Sequence, residues 1–251
     1  MNQILAALRA AAPWRRARDA EALPERAEFD NFELLAATRA APEWDARPLR
    51  GLTYAVFDLE TTGLSPARDD IVSIGGVRVA GGLIVPGETF NQLVNPGRRI
   101  PKASIRFHGI SDDMVQGQPP IEDVLPRFKA FAGDAVLVAH NIAFDLSFLK
   151  LKESLARVRF NNPILDTMLL SDCLHKHKAD HSLDGLALRY GVSMEGRHTA
   201  LGDALITAGV LIGLFDTLEE RGIRTFGEAV RASRVVIELA ARQARFLNLN
   251  R

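Results

Sequence analysis

The stretch Thr53-Tyr54-Ala55-Val56-Phe57-Asp58-Leu59-Glu60-Thr61-Thr62-Gly63 constrains the fold more than any other part of the chain. Its aromatic and β-branched opening reads as a buried strand that runs straight into an acidic pair. Side chains alternate between the two faces of a strand, so Asp58 and Glu60 point the same way. Two carboxylates on one face repel each other and need a cation; a solvent-facing strand end is the plainer alternative. Thr61-Thr62-Gly63 is expected to close the strand with a turn whose glycine lets the backbone approach a ligand.

Two further motifs share this setting. Ala135 to Ala139 is a short apolar run suited to a central strand, and Ile142 to Leu155 repeats its apolar residues at helical spacing, with His140-Asn141 as the junction. Asp145 then falls in the first turn of a helix, with Phe144, Leu146, Phe148 and Leu149 packing nearby. Alone, it is explained by the helix dipole. His198-Thr199-Ala200-Leu201-Gly202-Asp203 opens another apolar-periodic stretch, Ala204 to Leu218. One helical turn brings Thr199 and Asp203 to one side, with His198 just ahead of them. As an isolated pair, His198 and Asp203 would be a cap and a surface acid.

Together, four carboxylates and one histidine at strand ends and helix starts describe a two-metal phosphodiesterase site. Carboxylate oxygens are the hard ligands that Mg²⁺ and Mn²⁺ prefer, and a pair of such ions clamps the attacking and leaving oxygens of an in-line displacement at phosphorus. A neighbouring imidazole can take the proton from the attacking water. In this order the motifs resemble the DEDDh branch of the 3′–5′ exonucleases, the family of the proofreading epsilon subunit of bacterial replicative polymerase. The resemblance runs from about Leu52 to about Leu218 and includes Phe107-His108-Gly109-Ile110-Ser111, Leu165-Asp166-Thr167 and His181-Ser182-Leu183-Asp184.

That resemblance implies a ribonuclease H-like α/β fold, a mixed sheet flanked by helices. It implies Asp58, Glu60, Asp145 and Asp203 as the carboxylates that hold two divalent cations, Mg²⁺ or Mn²⁺, and His198 as the general base. Thr61, Thr62 and His108, with Asn141, would contact the terminal nucleotide. The implied reaction releases nucleoside 5′-monophosphates from DNA 3′ ends, as in proofreading or repair. RNA trimming is the alternative, because only the 2′-hydroxyl environment separates the two sugars. A reading of a different class is a non-catalytic scaffold that binds nucleic-acid ends or a polymerase, which the complete acidic set disfavours. A DNA polymerase or a sliding clamp is the candidate protein partner.

Three parts follow in the chain: an N-terminal arm (1–50) with an alanine-rich helix and the basic patch Arg15-Arg16-Ala17-Arg18, an exonuclease domain (51–221), and a C-terminal helical extension (222–251). Trp14 and Trp44 are expected to hold the arm to the body. Ile71 to Val79 and Leu83 to Val94 read as strands joined by a tight hairpin at Ala80-Gly81-Gly82, and short strands near Val136 and Ile164 alternate with helices. Thr225 to Phe246 reads as a long helix that packs on the core or serves a partner. Within it, Gln243-Ala244-Arg245-Phe246-Leu247 faintly resembles a clamp-binding peptide, and the end of an amphipathic helix explains it as well.

Lysine plus arginine equals aspartate plus glutamate at 31 each, which excludes a wholesale basic coat. An enzyme that grips a few nucleotides neutralises few phosphates, and its metals add charge that this count omits. Basic groups at Arg98-Arg99, Lys102, Arg106, Lys150, Lys152, Arg157 and Arg159 are read as solvated faces. The single cysteine, Cys173, excludes an internal disulfide and a cysteine-based zinc site and fits a cytoplasmic protein. His175 to His181 reads as a polar loop before a helix from Leu183 to Tyr190, its alternating lysines opposing a zinc site. Met1 to Ala12 lacks the basic front of a signal peptide, and no stretch is expected to span a bilayer.

Overall fold

The computed structural model describes residues 42–175 and 179–249. The strands are β1 (Thr53–Thr61), β2 (Ile71–Ala80), β3 (Leu83–Leu93), β4 (Val136–Ala139) and β5 (Ile164–Asp166). The helices are α1 (Pro42–Asp45), α2 (Lys102–His108), α3 (Asp112–Val115), α4 (Ile121–Ala132), α5 (Ile142–Ala156), α6 (Thr167–His175), α7 (Leu183–Tyr190), α8 (Ala200–Glu220) and α9 (Phe226–Leu249). The strands form one mixed sheet in the order β3-β2-β1-β4-β5. β1 pairs antiparallel with β2 and parallel with β4, while β2–β3 is antiparallel and β4–β5 parallel.

The central place of β1 follows from its sequence, since both of its faces are apolar. Ala55, Phe57 and Leu59 join one buried cluster with Phe128 of α4 and Leu146 and Leu149 of α5. Tyr54 and Val56 join a second with Leu170 of α6, Leu186 of α7 and Leu211 of α8. Fully burying each such side chain contributes about 1.5–3 kcal/mol. Asp58 and Glu60 continue the Tyr54–Val56 row and therefore face α8. The expected hairpin is present: Gly81 and Gly82 take φ of 60° and 75°, the positive values that a two-residue turn requires.

α8 corrects one expectation. With 21 residues and mean hydropathy 1.6, it is long and apolar enough to cross a membrane by length and composition. Its hydrophobicity all round has another cause: β1 and β2 pack on it together with α6 and α7, so little of its circumference meets water.

Residues 44–50 are stitched to the corner between α8 and α9. Trp44 packs on Phe226 with ring centroids 5.9 Å apart, Leu49 N–H donates to the Arg224 carbonyl at 2.9 Å, and Arg50 forms ion pairs with Asp216 and Glu219. Tyr54 donates its hydroxyl to the Leu49 carbonyl at 2.6 Å. Phe226 and Ala229 are buried in the second cluster and Val236 in the first, so α9 begins on the core. The last turns of α9 include the Gln243–Leu247 stretch, which is helical. Trp14, Arg15, Arg16 and Arg18 lie outside the described residues.

One glycine sets the distance between α8 and the sheet. Gly75 of β2 stands opposite Asp58 in the β1–β2 register, and a Cβ placed on it would meet the backbone of Ala200 and Leu201 at 2.1 Å. The first turn of α8 thus rests on bare strand backbone beside the acidic pair. Gly75→Ala is expected to lift that turn, lowering stability by about 1–3 kcal/mol, the usual cost of overpacking, and weakening divalent-cation binding. Denaturant unfolding and a calorimetric titration check both effects; wild-type values in both would refute the close approach.

Candidate metal centre and active site

Carboxylate oxygens of Asp58, Glu60 and Asp203 lie within 4.8 Å of one another. Glu60 and Asp203 are buried and Asp58 half-buried. The pair on β1 is set by strand alternation. Asp203 arrives from the first turn of α8, where Thr199 caps the helix by accepting the Gly202 N–H at 3.1 Å. Its Oδ1 accepts the His198 N–H at 3.2 Å. Asp145 comes from α5, on the other side of the sheet, and accepts the Leu59 N–H at 3.1 Å. That origin explains why it stands beside the group of three acids rather than within it.

Burial raises the pKa of Asp58 well above the usual carboxylate range, and the charges of Asp145, Glu60 and Asp203 add to the effect. Burial, then Asp203, pushes Glu60 up to about 8. Asp145 is also raised well above its ordinary value by burial, although the Leu59 N–H opposes this. Asp203 is raised by burial against the pull of Arg197. Arg197 pairs with Asp203 and, through Nε at 2.6 Å, with Asp184. Hard oxygen donors, burial and mutual repulsion fit a divalent cation, with Asp58, Glu60 and Asp203 as the residues that would hold it.

The other expected site residues surround this group. His198 takes a left-handed backbone with φ of 68°; its ring meets Phe107 edge-on at 4.8 Å, and its Nδ1 is buried with no hydrogen-bond partner among the described residues. His108 ends α2, which is fastened to the end of β1 by the Ser104 hydroxyl donating to the Thr62 carbonyl at 2.8 Å. The His108 Nδ1 accepts the Ile110 N–H at 3.0 Å. Burial lowers its pKa, while a hydrogen bond with the Thr61 backbone opposes this. Thr61 donates its hydroxyl to the Gly63 carbonyl at 2.6 Å.

Thr62 is spent inside its own loop. Its hydroxyl accepts the Asp70 N–H at 3.0 Å and lies 3.3 Å from Asp69 Oδ1. A Cβ on Gly63 would strike the Asp69 carboxylate at 2.5 Å, so the missing side chain makes room for Asp69. Asn141 adopts φ of 65° at the start of α5. Its N–H donates to Asp166 Oδ1 at 3.1 Å.

Sequence reasoning gave no role to Asp166, Arg197 or Asp184. Asp166 accepts N–H groups from Asn141, Ile142 and Met168, joining the start of α5 to that of α6. Its place inside the motif Leu165-Asp166-Thr167 was the available signal. The polar loop expected from His175 begins later, because His175 is the last residue of α6 and meets the Tyr190 hydroxyl at 2.9 Å. His181 Nδ1 lies 2.8 Å from the Ser171 hydroxyl, so both imidazoles serve internal packing. Ser182 caps α7. Residues 176–178 lie outside the described residues.

A carboxylate centre at the end of the middle strand of a mixed sheet has the make-up of a divalent-cation site. The exonuclease family model, RNase_T, matches residues 55–211, and the chain belongs to that family. A DNA polymerase III subunit epsilon-like protein of Rhodobacter capsulatus is 51% identical over 183 residues, 72% of this chain and 26% of that protein. A PolC-type DNA polymerase III of Bacillus subtilis is 36% identical over 184 residues, 72% of this chain and 13% of that protein. The chain thus spans about a quarter or less of the length of these curated relatives. Among solved structures, Exonuclease X in complex with 5′ overhanging duplex DNA is 30% identical with a TM-score of 0.56, covering 72% of this chain and 99% of that one. E. coli Exonuclease I in complex with a dT13 oligonucleotide shares the fold, with a TM-score of 0.59 at 14% identity over 68% of this chain and 42% of that one. The sheet has the ribonuclease H-like architecture expected from the motifs.

The cluster makes a prediction about pH. Glu60 has a folded pKa of about 8 against an ordinary 4.5, so the folded state holds its proton longer than the unfolded one. Its contribution to stability is complete below about 4.5 and lost as pH climbs through about 8. In chelator, the melting midpoint of the wild type should fall over this window relative to Glu60→Gln, and saturating Mg²⁺ should remove the difference. Parallel pH profiles in chelator would reject the electrostatic account.

Proposed function

We propose that this chain is a divalent-cation-dependent 3′–5′ exonuclease that removes nucleoside 5′-monophosphates from DNA 3′ ends, as in proofreading. The observation that carries the reading is the convergence of Asp58, Glu60 and Asp203, with Asp145 on the adjoining backbone and His198 on the loop that Asp203 grips. DNA is favoured over RNA by the likeness to DNA polymerase III proteins. A DNA polymerase III assembly in the cytoplasm is the proposed setting.

Bound at Asp58, Glu60 and Asp203, with Asp145 in support, two Mg²⁺ or Mn²⁺ ions would neutralise the charge that develops around phosphorus. The protein's own residues account for the rest. His198 takes the proton from the attacking water, its ring direction set by Phe107 and by the left-handed backbone. The grip of Asp203 on the His198 N–H keeps the imidazole next to the acids. His108, held by the Ile110 N–H at the end of α2, is placed to contact the terminal nucleotide. Thr61 lines the end of β1, while Thr62 and Asn141 shape the backbone on either side of the site.

Asp58→Asn should weaken cation binding and abolish cleavage in a folded protein. His198→Ala should keep cation binding and slow cleavage by about 10²–10⁴-fold, the loss of a general base. A calorimetric titration beside a nuclease assay separates the two, and near-normal turnover in either variant would remove that residue from its role.

Direction and substrate are tested together. A 5′-labelled DNA strand should shorten as a ladder with single mononucleotides released, and RNA of the same sequence should be degraded more slowly. Early release of the labelled nucleotide, or cutting of a closed circle, would contradict a 3′–5′ exonuclease. Faster loss of RNA would reassign the substrate.

A further inference from the structure

We propose that Arg197 is the resident counter-cation of the acidic cluster: it must release Asp203 for a divalent cation to bind there, and Asp184 holds it close when it does. This rests on the cation-dependent reading above and extends it to a residue with no role in the expected ligand set.

Both oxygens of Asp203 are engaged. Oδ2 pairs with Arg197, and Oδ1 accepts the His198 N–H. The backbone contact is compatible with a further ligand on Oδ1, because a carboxylate oxygen carries more than one lone pair. The guanidinium is a different matter, since two cations at one carboxylate repel each other. Arg197 also dampens the charge of the other two acids, lowering the pKa of Asp58 and Glu60 against their burial. It therefore performs, in part, the neutralisation that the cluster requires of a bound ion.

The second anchor makes the exchange feasible. The Arg197 side chain is 18% exposed and lies between the buried Asp203 and Asp184, whose side chain is 55% exposed. A guanidinium has donors enough to hold two carboxylates at once and remains charged under all working conditions. When it leaves Asp203 it stays paired with Asp184, so no buried charge is stranded. Asp184 comes from α7, a helix fixed at its start by the Ser182 cap and at its end by Gly191 in the left-handed conformation. The anchor is therefore rigid, and the part that moves is the short loop before α8. His198 is the next residue on that loop, so the exchange also reaches the general base.

The test is a calorimetric Mn²⁺ titration of the full chain, as wild type, Arg197→Gln and Asp184→Asn, with melting midpoints in chelator and in saturating Mn²⁺. Removing the competitor should tighten binding in Arg197→Gln by about fivefold or more, the low end of couplings between neighbouring sites. Removing the alternative anchor should weaken binding in Asp184→Asn by a similar factor. Arg197→Gln should also lower the midpoint more in chelator than in Mn²⁺. A merely structural Arg197 would give weaker binding in both variants and equal destabilisation in both media, and that result overturns the proposal. If Arg197→Gln does not fold, Arg197→Lys takes its place: a single ammonium lacks the fork that holds both carboxylates at once, so Mn²⁺ binding should still tighten, and weaker binding overturns the proposal. No Mn²⁺ binding by the wild type would reject the cation-dependent function itself, whereas binding by the wild type with both variants weakened rejects the role of Arg197 alone.

Discussion

Like-charge repulsion among buried acids is the constraint around which the rest of this molecule is arranged. Asp58, Glu60 and Asp203 are drawn to within 4.8 Å of one another, an arrangement that costs free energy until a cation arrives. The offset comes from the apolar layers behind them. Tyr54, Phe57, Phe128, Phe148 and Phe215 are all fully buried, and each contributes on the order of 1.5–3 kcal/mol by leaving water. The two clusters clamp β1 from both sides, so the strand end cannot splay to relieve the charge. Stability is thus spent at one end of a strand that is over-determined along the rest of its length.

The acid-bearing helices begin from unusual backbone. Asn141 and His198 have positive φ without being glycine, and each immediately precedes or adjoins the helix that carries Asp145 or Asp203. Such conformations are sparsely populated and persist where surrounding contacts fix them. Asp166 does this for Asn141 by accepting its N–H and that of Ile142. Asp203 does it for His198 by accepting the His198 N–H. In both places a carboxylate orders the turn beside the reactive group, so Asp203 serves as scaffold as well as candidate ligand, and Asp166 as scaffold.

What could be read from the sequence was whatever local chemistry dictates. The span of α7 matches its expected ends, Leu183 and Tyr190, because Ser182 is a good cap and Gly191 a good stop. The hairpin at Gly81-Gly82, the helix carrying Asp145 and the shared face of Asp58 and Glu60 were legible for the same reason. What was not legible depends on distant neighbours. Nothing local marks Gly75 as the seat of α8, since the approach joins residues far apart in the chain. Nothing local sets Asp69 against Gly63, and the apolar character of α8 exceeded expectation because helices and sheet enclose it. Arg197 was overlooked beside His198 because a lone arginine next to a motif carries no periodic or spacing signal.

The placement of Asp203 on α8 has a mechanical consequence. α8 is enclosed through its middle, with Ala208, Val210, Leu211, Leu214 and Phe215 all fully buried. Segments of a protein that open independently are those with few buried apolar contacts, and this helix is the opposite case. The third acid therefore cannot fray away while the body stays intact, as a ligand on a surface loop could. Asp203 thus stands at the start of a helix whose middle is locked in the core, and the loop just before it, bearing Arg197 and His198, is tied to that helix through the Asp203 carboxylate.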